Sequence, residues 1–335
     1  MAKGIAWITT TWILELRDPM PLLRPLEDEA GLEIKLNDTG IHMSEAQLLA
    51  ELPGVVASLP SNDEFTAKVL STAQDLKIIS RTGVGLNSID LAAAAENGIV
   101  VTSAVGQNSL SVAEHTFALL LSAARRINFQ DQGIRAGEWA SLRLPGAPLN
   151  GKTLGILGLG NIGKEVARRA AAFGMEIIAC DIAPDERFAA EVGVYFHSLE
   201  EVASRADYLT CHVPLTPETT GIIGRELLAL MKPGAFLINT SRGPVVDIDA
   251  LAEALASGGL GGAGIDVFPK EPPEVDHPLF DQQNLIVTPH AAGVGQDACE
   301  NTLRHAVRAV VDLLAGKKPH DIANPDVLKK LGPLS

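Results

Sequence analysis

The chain has 335 residues, 46% of them hydrophobic and 20% charged, with a net charge of −14 and a sequence pI near 5.0. That length exceeds one ordinary core and implies two globular domains, and the composition is not that of a disordered chain. The acidic balance argues against a nucleic-acid or anionic-membrane partner, because phosphate surfaces need a basic footprint, yet it leaves room for an anionic small substrate in a locally positive pocket.

The first run, GIAWITTTWIL, is broken by threonines and lacks the cleavage pattern of a leader, so it reads as a strand. LEIKLND, GVVASL, LKIISR and GIVVTS follow as further strands, with EFTAKVLSTAQ and SIDLAAAAEN at helical spacing between them. Such alternation implies a parallel sheet covered by helices. Residues 109–128, SLSVAEHTFALLLSAARRIN, form a long apolar helix with Ser111 as its expected cap. From about 151 a second β/α series begins: KTLGILG, MEIIACD, YLTCHVP, AFLINTS, GAGIDVF and NLIVTPH are its strands. One last helix, ENTLRHAVRAVVDLLAG, has no partner left in the second sheet and is expected to cross back, making the first domain discontinuous. No window reaches the roughly 18 apolar residues of a membrane span. Cys180, Cys211 and Cys299 form no CxxC, which fits a reducing compartment and supplies no metal framework. A cytoplasmic location is the expectation.

GLGNIG at 158–163 has the form of a dinucleotide fingerprint. Gly158 permits the turn, Gly160 admits a pyrophosphate, and Gly163 allows close helix–strand packing. The helix from Asn161 and Ile162 aims its positive end at the phosphates. The next strand ends in Asp181, near the spacing of the acid that holds the adenosine ribose, and the IAP that follows offers no arginine to accept a 2′-phosphate. NAD(H) rather than NADP(H) is the expected cofactor, although Asp181 has the alternative role of capping a turn.

Later strands end in reactive groups: Arg242 in INTSRGP, Asp266 and Glu271 in GIDVFPKEPP, and His290 in VTPHAAG. In an open parallel sheet these loops share the crevice beyond the strands' carboxyl ends. Reducing a 2-keto acid needs a guanidinium for carboxylate and carbonyl, an imidazole acid, and a carboxylate beside that imidazole. Each residue also has a plainer reading: Arg242 paired with Asp247, Glu271 solvated, His290 a loop residue. His115 and His305 fall inside helices, His42, His197, His277 and His320 read as surface residues, and His212 follows Cys211 without a third metal ligand.

With RTGVGLNSIDL, SVAEHTFALLL, LGLGNIGKEVARR, CHVPLTPETTG, LINTSRGPVVD, GIDVFPKEPP and VTPHAAG in this order, the chain resembles the D-isomer-specific 2-hydroxyacid dehydrogenase family, which includes phosphoglycerate, glycerate and D-lactate dehydrogenases. The resemblance implies an α/β fold of two doubly wound parallel-sheet domains. A Rossmann-type NAD-binding domain (103–295) is inserted into a discontinuous flavodoxin-like substrate domain (1–102 and 296–335). It implies Arg242, Glu271 and His290 as catalytic residues. It places Gly158, Gly160, Asn161, Ile162, Gly163, Asp181, Val213, Thr240, Asp266 and Gly293 at the cofactor, and Val84 and Gly85 with Arg242 and His290 at the substrate. It also implies homodimers formed through SVAEHTFALLLSAARRI and RAGEW.

The expected activity is NAD-dependent interconversion of a small D-2-hydroxy acid and its 2-keto acid, such as glyoxylate or hydroxypyruvate. Phosphoglycerate relatives carry an arginine after the third strand, where VVASLPSNDEF has no basic residue, and the chain shows no regulatory segment after KKPHDIANPDVL. D-3-phosphoglycerate is therefore the alternative substrate. Glu271 opposes a formate-oxidising reading, whose enzymes have glutamine there, and an NAD(H)-sensing corepressor-like scaffold is the alternative of another class.

Overall fold

A computed structural model describes residues 3–331 and Leu334. The chain divides into two compact units, Met1–Asn108 with Gly293–Ser335, and Ser109–Ala292. The divisions fall a few residues from the 102/103 and 295/296 expected from the sequence.

The first unit contains β1 (Ile5–Ile8), α1 (Met20–Asp28), β2 (Glu33–Leu36), α2 (Glu45–Glu51), β3 (Val55–Leu59), α3 (Ala67–Thr72), β4 (Ile78–Arg81), α4 (Leu91–Glu96) and β5 (Val100–Ser103). Its sheet has the order β2-β1-β3-β4-β5 with every pair parallel, the flavodoxin-like arrangement. Successive strand residues face opposite ways, so Ile8, Ile78 and Val100 lie in one buried cluster and Trp7, Ile79 and Val101 in another. Leu48, Val69 and Ala93 from α2–α4 cover the second face.

The second unit opens with α5 (Ser109–Arg125) and α6 (Ile127–Arg135), followed by β6 (Thr153–Leu157), α7 (Asn161–Ala172), β7 (Glu176–Cys180), α8 (Glu186–Val192) and β8 (Val194–Phe196). The remainder is α9 (Leu199–Arg205), β9 (Tyr208–Cys211), α10 (Arg225–Leu230), β10 (Ala235–Asn239), α11 (Ile248–Ala256), β11 (Leu260–Ile265) and β12 (Leu285–Val287). Its seven parallel strands run β12-β11-β10-β9-β6-β7-β8. Phe117, Leu120, Val166 and Ala170 from α5 and α7 pack against Leu154 and Ile156 of β6. Val202, Leu227 and Leu251 from α9–α11 pack with Ile178 and Leu209 on the other face. The chain then returns to the first unit as α12 (Gln296–Leu314). There Leu303, Ala306, Val307 and Val310 close the face that holds Ile8 and Ile78, each buried aliphatic of Leu or Val size contributing about 1.5–3 kcal/mol.

Two local expectations are corrected. The helix expected over 109–128 breaks at Arg126, whose φ is +55°. The carbonyl of Ala124 that the break frees accepts the N–H of Ala147 at 2.8 Å, so a tertiary bond sets the helix end. Ser111 is not a cap: it lies inside α5, and its hydroxyl donates to the Ala292 carbonyl at 2.8 Å.

Candidate active site

The order of the second sheet reverses at β6 and β9, and parallel sheets of this kind bind ligands beyond the strand ends at such a point. The glycine loop follows β6. Gly158 has φ of +88°, and a Cβ there would lie 2.9 Å from the backbone of His212, so the turn accepts only glycine. A Cβ at Gly163 would lie 2.2 Å from the Gly158 carbonyl oxygen, whereas one at Gly160 would meet nothing within 4 Å. Gly160 therefore borders open space. It is also the N-cap of α7, where no side chain caps the first turn at Asn161 and Ile162, so the helix end keeps donors for an anion.

Asp181, half-buried at the end of β7, accepts the N–H of Leu159 at 2.6 Å through one oxygen and that of Ala183 at 2.8 Å through the other. Each oxygen keeps a second lone pair for a hydroxyl. Val213 packs beside Gly158. These residues fit a dinucleotide: an open glycine cradle, an uncapped helix end, and a carboxylate fixed one strand away.

Arg242, Glu271 and His290 follow β10, β11 and β12, three neighbouring strands at one side of the sheet. The Asn239 side chain ties the first of these turns, accepting the Ser241 N–H at 2.9 Å and donating to the Arg242 carbonyl at 3.0 Å. Gly243 allows this turn to sit on the next loop: a Cβ there would fall 1.9 Å from the carbonyl carbon of Phe268. Burial lowers the Arg242 guanidinium from its ordinary pKa, and the charge of Glu271 opposes that shift. Asp247, the acid of the plainer reading of Arg242, is the N-cap of α11 and accepts from the Ala250 N–H.

Glu271 accepts the Phe268 N–H at 3.0 Å through Oε1, and its Oε2 lies 2.7 Å from His290 Nδ1. Burial alone would raise this carboxyl, but the His290 bond and charge, the Phe268 amide and Arg242 hold it below the usual carboxylate range. A carboxylate only accepts, so the proton of this bond sits on Nδ1 and leaves Nε2 as the atom that exchanges protons. His290 has φ of +55°, a backbone region that non-glycine residues rarely occupy and that concentrates at functional sites. Its N–H donates to the Asp266 carbonyl at 2.7 Å.

Asp266 is fully buried. One of its oxygens accepts the Thr288 hydroxyl at 2.5 Å and the Ala291 N–H at 2.8 Å, and the other accepts the Ala292 N–H at 2.9 Å. The structure thus puts this carboxylate behind the His290 loop. Thr240 is buried as well, its hydroxyl 3.0 Å from that of Thr116 on α5. Val84, Gly85 and Gly293 belong to the first unit; Val84 and Gly85 lie in the turn after β4, and Gly293 packs on Asn108. Burial pushes the His212 pKa down to about 3, leaving a neutral ring 3.0 Å from the Thr210 hydroxyl. Sequence reasoning named Ser111 only as a cap and His115 only as a helix residue, and passed over Thr116; their spacing on α5 was the available signal.

The fold is of the doubly wound α/β class, with a glycine loop that fits a dinucleotide at the switch point of its second sheet. The family model described as "D-isomer specific 2-hydroxyacid dehydrogenase, NAD binding domain" matches residues 117–292. The D-3-phosphoglycerate dehydrogenase of Archaeoglobus fulgidus is 38% identical over 308 residues, covering 90% of this chain and 58% of that protein. The glyoxylate reductase of Korarchaeum cryptofilum is 39% identical over 271 residues, covering 80% of this chain and 82% of that one. Among solved structures, the TT0316 protein from Thermus thermophilus is similar with a TM-score of 0.85 and 38% identity, over 95% of this chain and 99% of that chain. The chain belongs to the D-isomer specific 2-hydroxyacid dehydrogenase family, and its cofactor is NAD(H). It spans less than three fifths of the length of curated D-3-phosphoglycerate dehydrogenases that it resembles, 58% for the Archaeoglobus protein and 59% for that of Methanocaldococcus jannaschii.

Proposed function

We propose that the protein interconverts a small D-2-hydroxy acid and its 2-keto acid, with the first unit binding substrate and the second binding NAD(H). The observation that carries this reading is the 2.7 Å bond between His290 Nδ1 and Glu271, with the Arg242 charge acting on the same carboxylate. NADH, when bound, supplies the reducing equivalent. Arg242 binds the substrate carboxylate and polarises the carbonyl. His290 donates the Nε2 proton to the carbonyl oxygen and recovers it in the oxidative direction, while Glu271 stabilises the imidazolium so formed. Val84 and Gly85 offer backbone N–H groups to the substrate carboxylate. Asp181 holds the ribose and disfavours a 2′-phosphate, Val213 and Gly293 border the nicotinamide half, and Asp266 and Thr240 serve that end by fixing its loops.

Glyoxylate and hydroxypyruvate are the proposed substrates, since residues 55–65, VVASLPSNDEF, carry no lysine or arginine for a phosphate. D-3-phosphoglycerate is the second reading, favoured by the names of the long relatives. A second copy of the chain is the proposed partner: α6 buries none of its residues, and Ile127, Ile134 and Trp139 are exposed along this arm. Among the described residues no helix is long and apolar enough to cross a membrane, and a cytoplasmic site of action is proposed.

The test is a panel of free and phosphorylated 2-keto acids assayed with NADH and NADPH, using wild type and His290→Ala. Turnover of free short acids with NADH, lost in the variant while NADH still binds, supports the reading. A preference for the phosphorylated acid moves the substrate to the second reading. A silent panel with intact NADH binding removes the enzymatic one.

A further inference from the structure

α5 supplies no group to the reaction proposed above, yet three of its polar side chains reach the strand ends that carry it. Ser111 Oγ donates to the Ala292 carbonyl at 2.8 Å, His115 Nε2 lies 3.0 Å from Thr288 Oγ1, and Thr116 Oγ1 lies 3.0 Å from Thr240 Oγ1. Ser111 and His115 are four apart and share one helix face. Thr288 and Ala292 stand two residues to either side of His290, and Thr240 stands two before Arg242.

Counting protons gives this network a direction. The Thr288 hydroxyl has one hydrogen, and its 2.5 Å bond to Asp266 must use it, because the carboxylate only accepts. Toward His115, Thr288 Oγ1 then offers only lone pairs, so His115 is the donor and its Nε2 carries a hydrogen. Asp266 passes the constraint on: its carboxylate takes the Ala291 and Ala292 N–H groups, and its carbonyl takes the N–H of His290. His115 Nε2 also lies 3.6 Å from Asp266 Oδ1, so it reaches both members of the Thr288–Asp266 pair.

We infer that His115 is a positioning residue for the dehydrogenase reaction, its Nε2–H anchoring Thr288 and Asp266 and through them the left-handed turn that aims His290. The inference rests on the reading of His290 as the acid/base. Without the anchor the turn can relax toward ordinary φ, and misplacement by about 1 Å costs as much as a hundredfold in rate.

Three whole-chain proteins test it: wild type, His115→Ala and His115→Gln, whose amide can donate at similar reach. His115→Ala should lower kcat about tenfold to a hundredfold, with NADH affinity within about twofold of wild type and a larger primary isotope effect with NADH deuterated at the transferred position. His115→Gln should recover most of the rate. Equal rates in all three, or a glutamine variant no better than alanine, overturn the inference. Amide hydrogen exchange at His290, Ala291 and Ala292 decides it without any substrate: protection should be kept in the glutamine variant and lost in alanine. Uniform protection overturns it, as does a side-chain ¹⁵N spectrum showing His115 as the Nδ1–H tautomer. A silent substrate panel, by contrast, removes the acid/base reading while these two measurements still report on the anchor.

Discussion

Gly243→Ala is the sharpest perturbation of the proposed site, because it separates two loops without altering a chemical group. The added Cβ would lie 1.9 Å from the Phe268 carbonyl carbon, 2.1 Å from its oxygen and 2.3 Å from Pro269 N, where ordinary contact begins near 3.4 Å. All three atoms are backbone, so no side chain can swing away, and the loops must part by about 1.5 Å to restore van der Waals distance. One loop carries Arg242 and the other carries Glu271. Overpacking of this size costs about 1–3 kcal/mol of stability, and misalignment beyond 1 Å costs about a hundredfold in turnover. The assay is kcat for the best 2-keto acid found in the panel, with NADH affinity by fluorescence and Tm measured alongside. The glycine loop follows β6 rather than either parted loop, while Thr240 and Asp266 adjoin them, so NADH affinity should fall less than kcat. A variant with wild-type kcat would refute the claim that the Arg242–Glu271 spacing matters.

The same substitution at Gly160 should behave in the opposite way. Its Cβ meets no protein atom within 4 Å, so Tm should be unchanged while NADH binding weakens about tenfold or more from lost backbone approach; unchanged affinity by titration would count against the cradle. Glu271→Gln should lower kcat and alter the pH dependence of stability. The Glu271 carboxyl titrates below its ordinary 4.5 when folded, so its contribution is present above that value and disappears as pH falls through the lower folded value. Both partners are 36% exposed, so screening reduces the charge-assisted bond to about 1 kcal/mol. The Tm gap between wild type and variant should therefore hold above pH 4.5 and close as pH falls below it, and a constant gap would contradict the pairing. Ile134→Glu with Trp139→Glu should give a monomer by light scattering, and a persisting dimer would place the interface elsewhere.

The strands were readable because parallel sheets covered on both faces demand near-continuous apolar runs, as in AFLIN and LGIL. β8 escaped notice for the converse reason: it has three residues, and Tyr195 is exposed at the sheet's edge. The break at Arg126 was invisible because the bond that sets it comes from Ala147, not from a local signal. The side chains proposed to react were legible as candidates for a related reason, since each follows an apolar strand. What braces them was not: Thr288 and Asp266 are 22 residues apart and His115 and Thr288 are 173 apart. Hydrogen bonds across such separations leave no periodicity in a sequence.

This difference follows from what each interaction specifies. Apolar burial is non-directional, so it can stack strands and helices in the right layers but cannot orient a side chain to within 1 Å. Directional bonds do that here, and every proposed reacting group has one: Asn239 for the turn of Arg242, the Phe268 amide for Glu271, and Asp266 for the turn of His290. The first unit repeats the device after its own strands. Asp63, raised by burial, accepts from Thr9 and the Met43 N–H, and Arg81 at the end of β4 donates to Asn62. Under the proposed assignment these ties hold the substrate-side loops over 58–65 and 81–87. Substrate choice then belongs to untied residues between them, such as the exposed Val84, because a tied residue that changed would leave a buried donor or acceptor unsatisfied and cost about 1–3 kcal/mol.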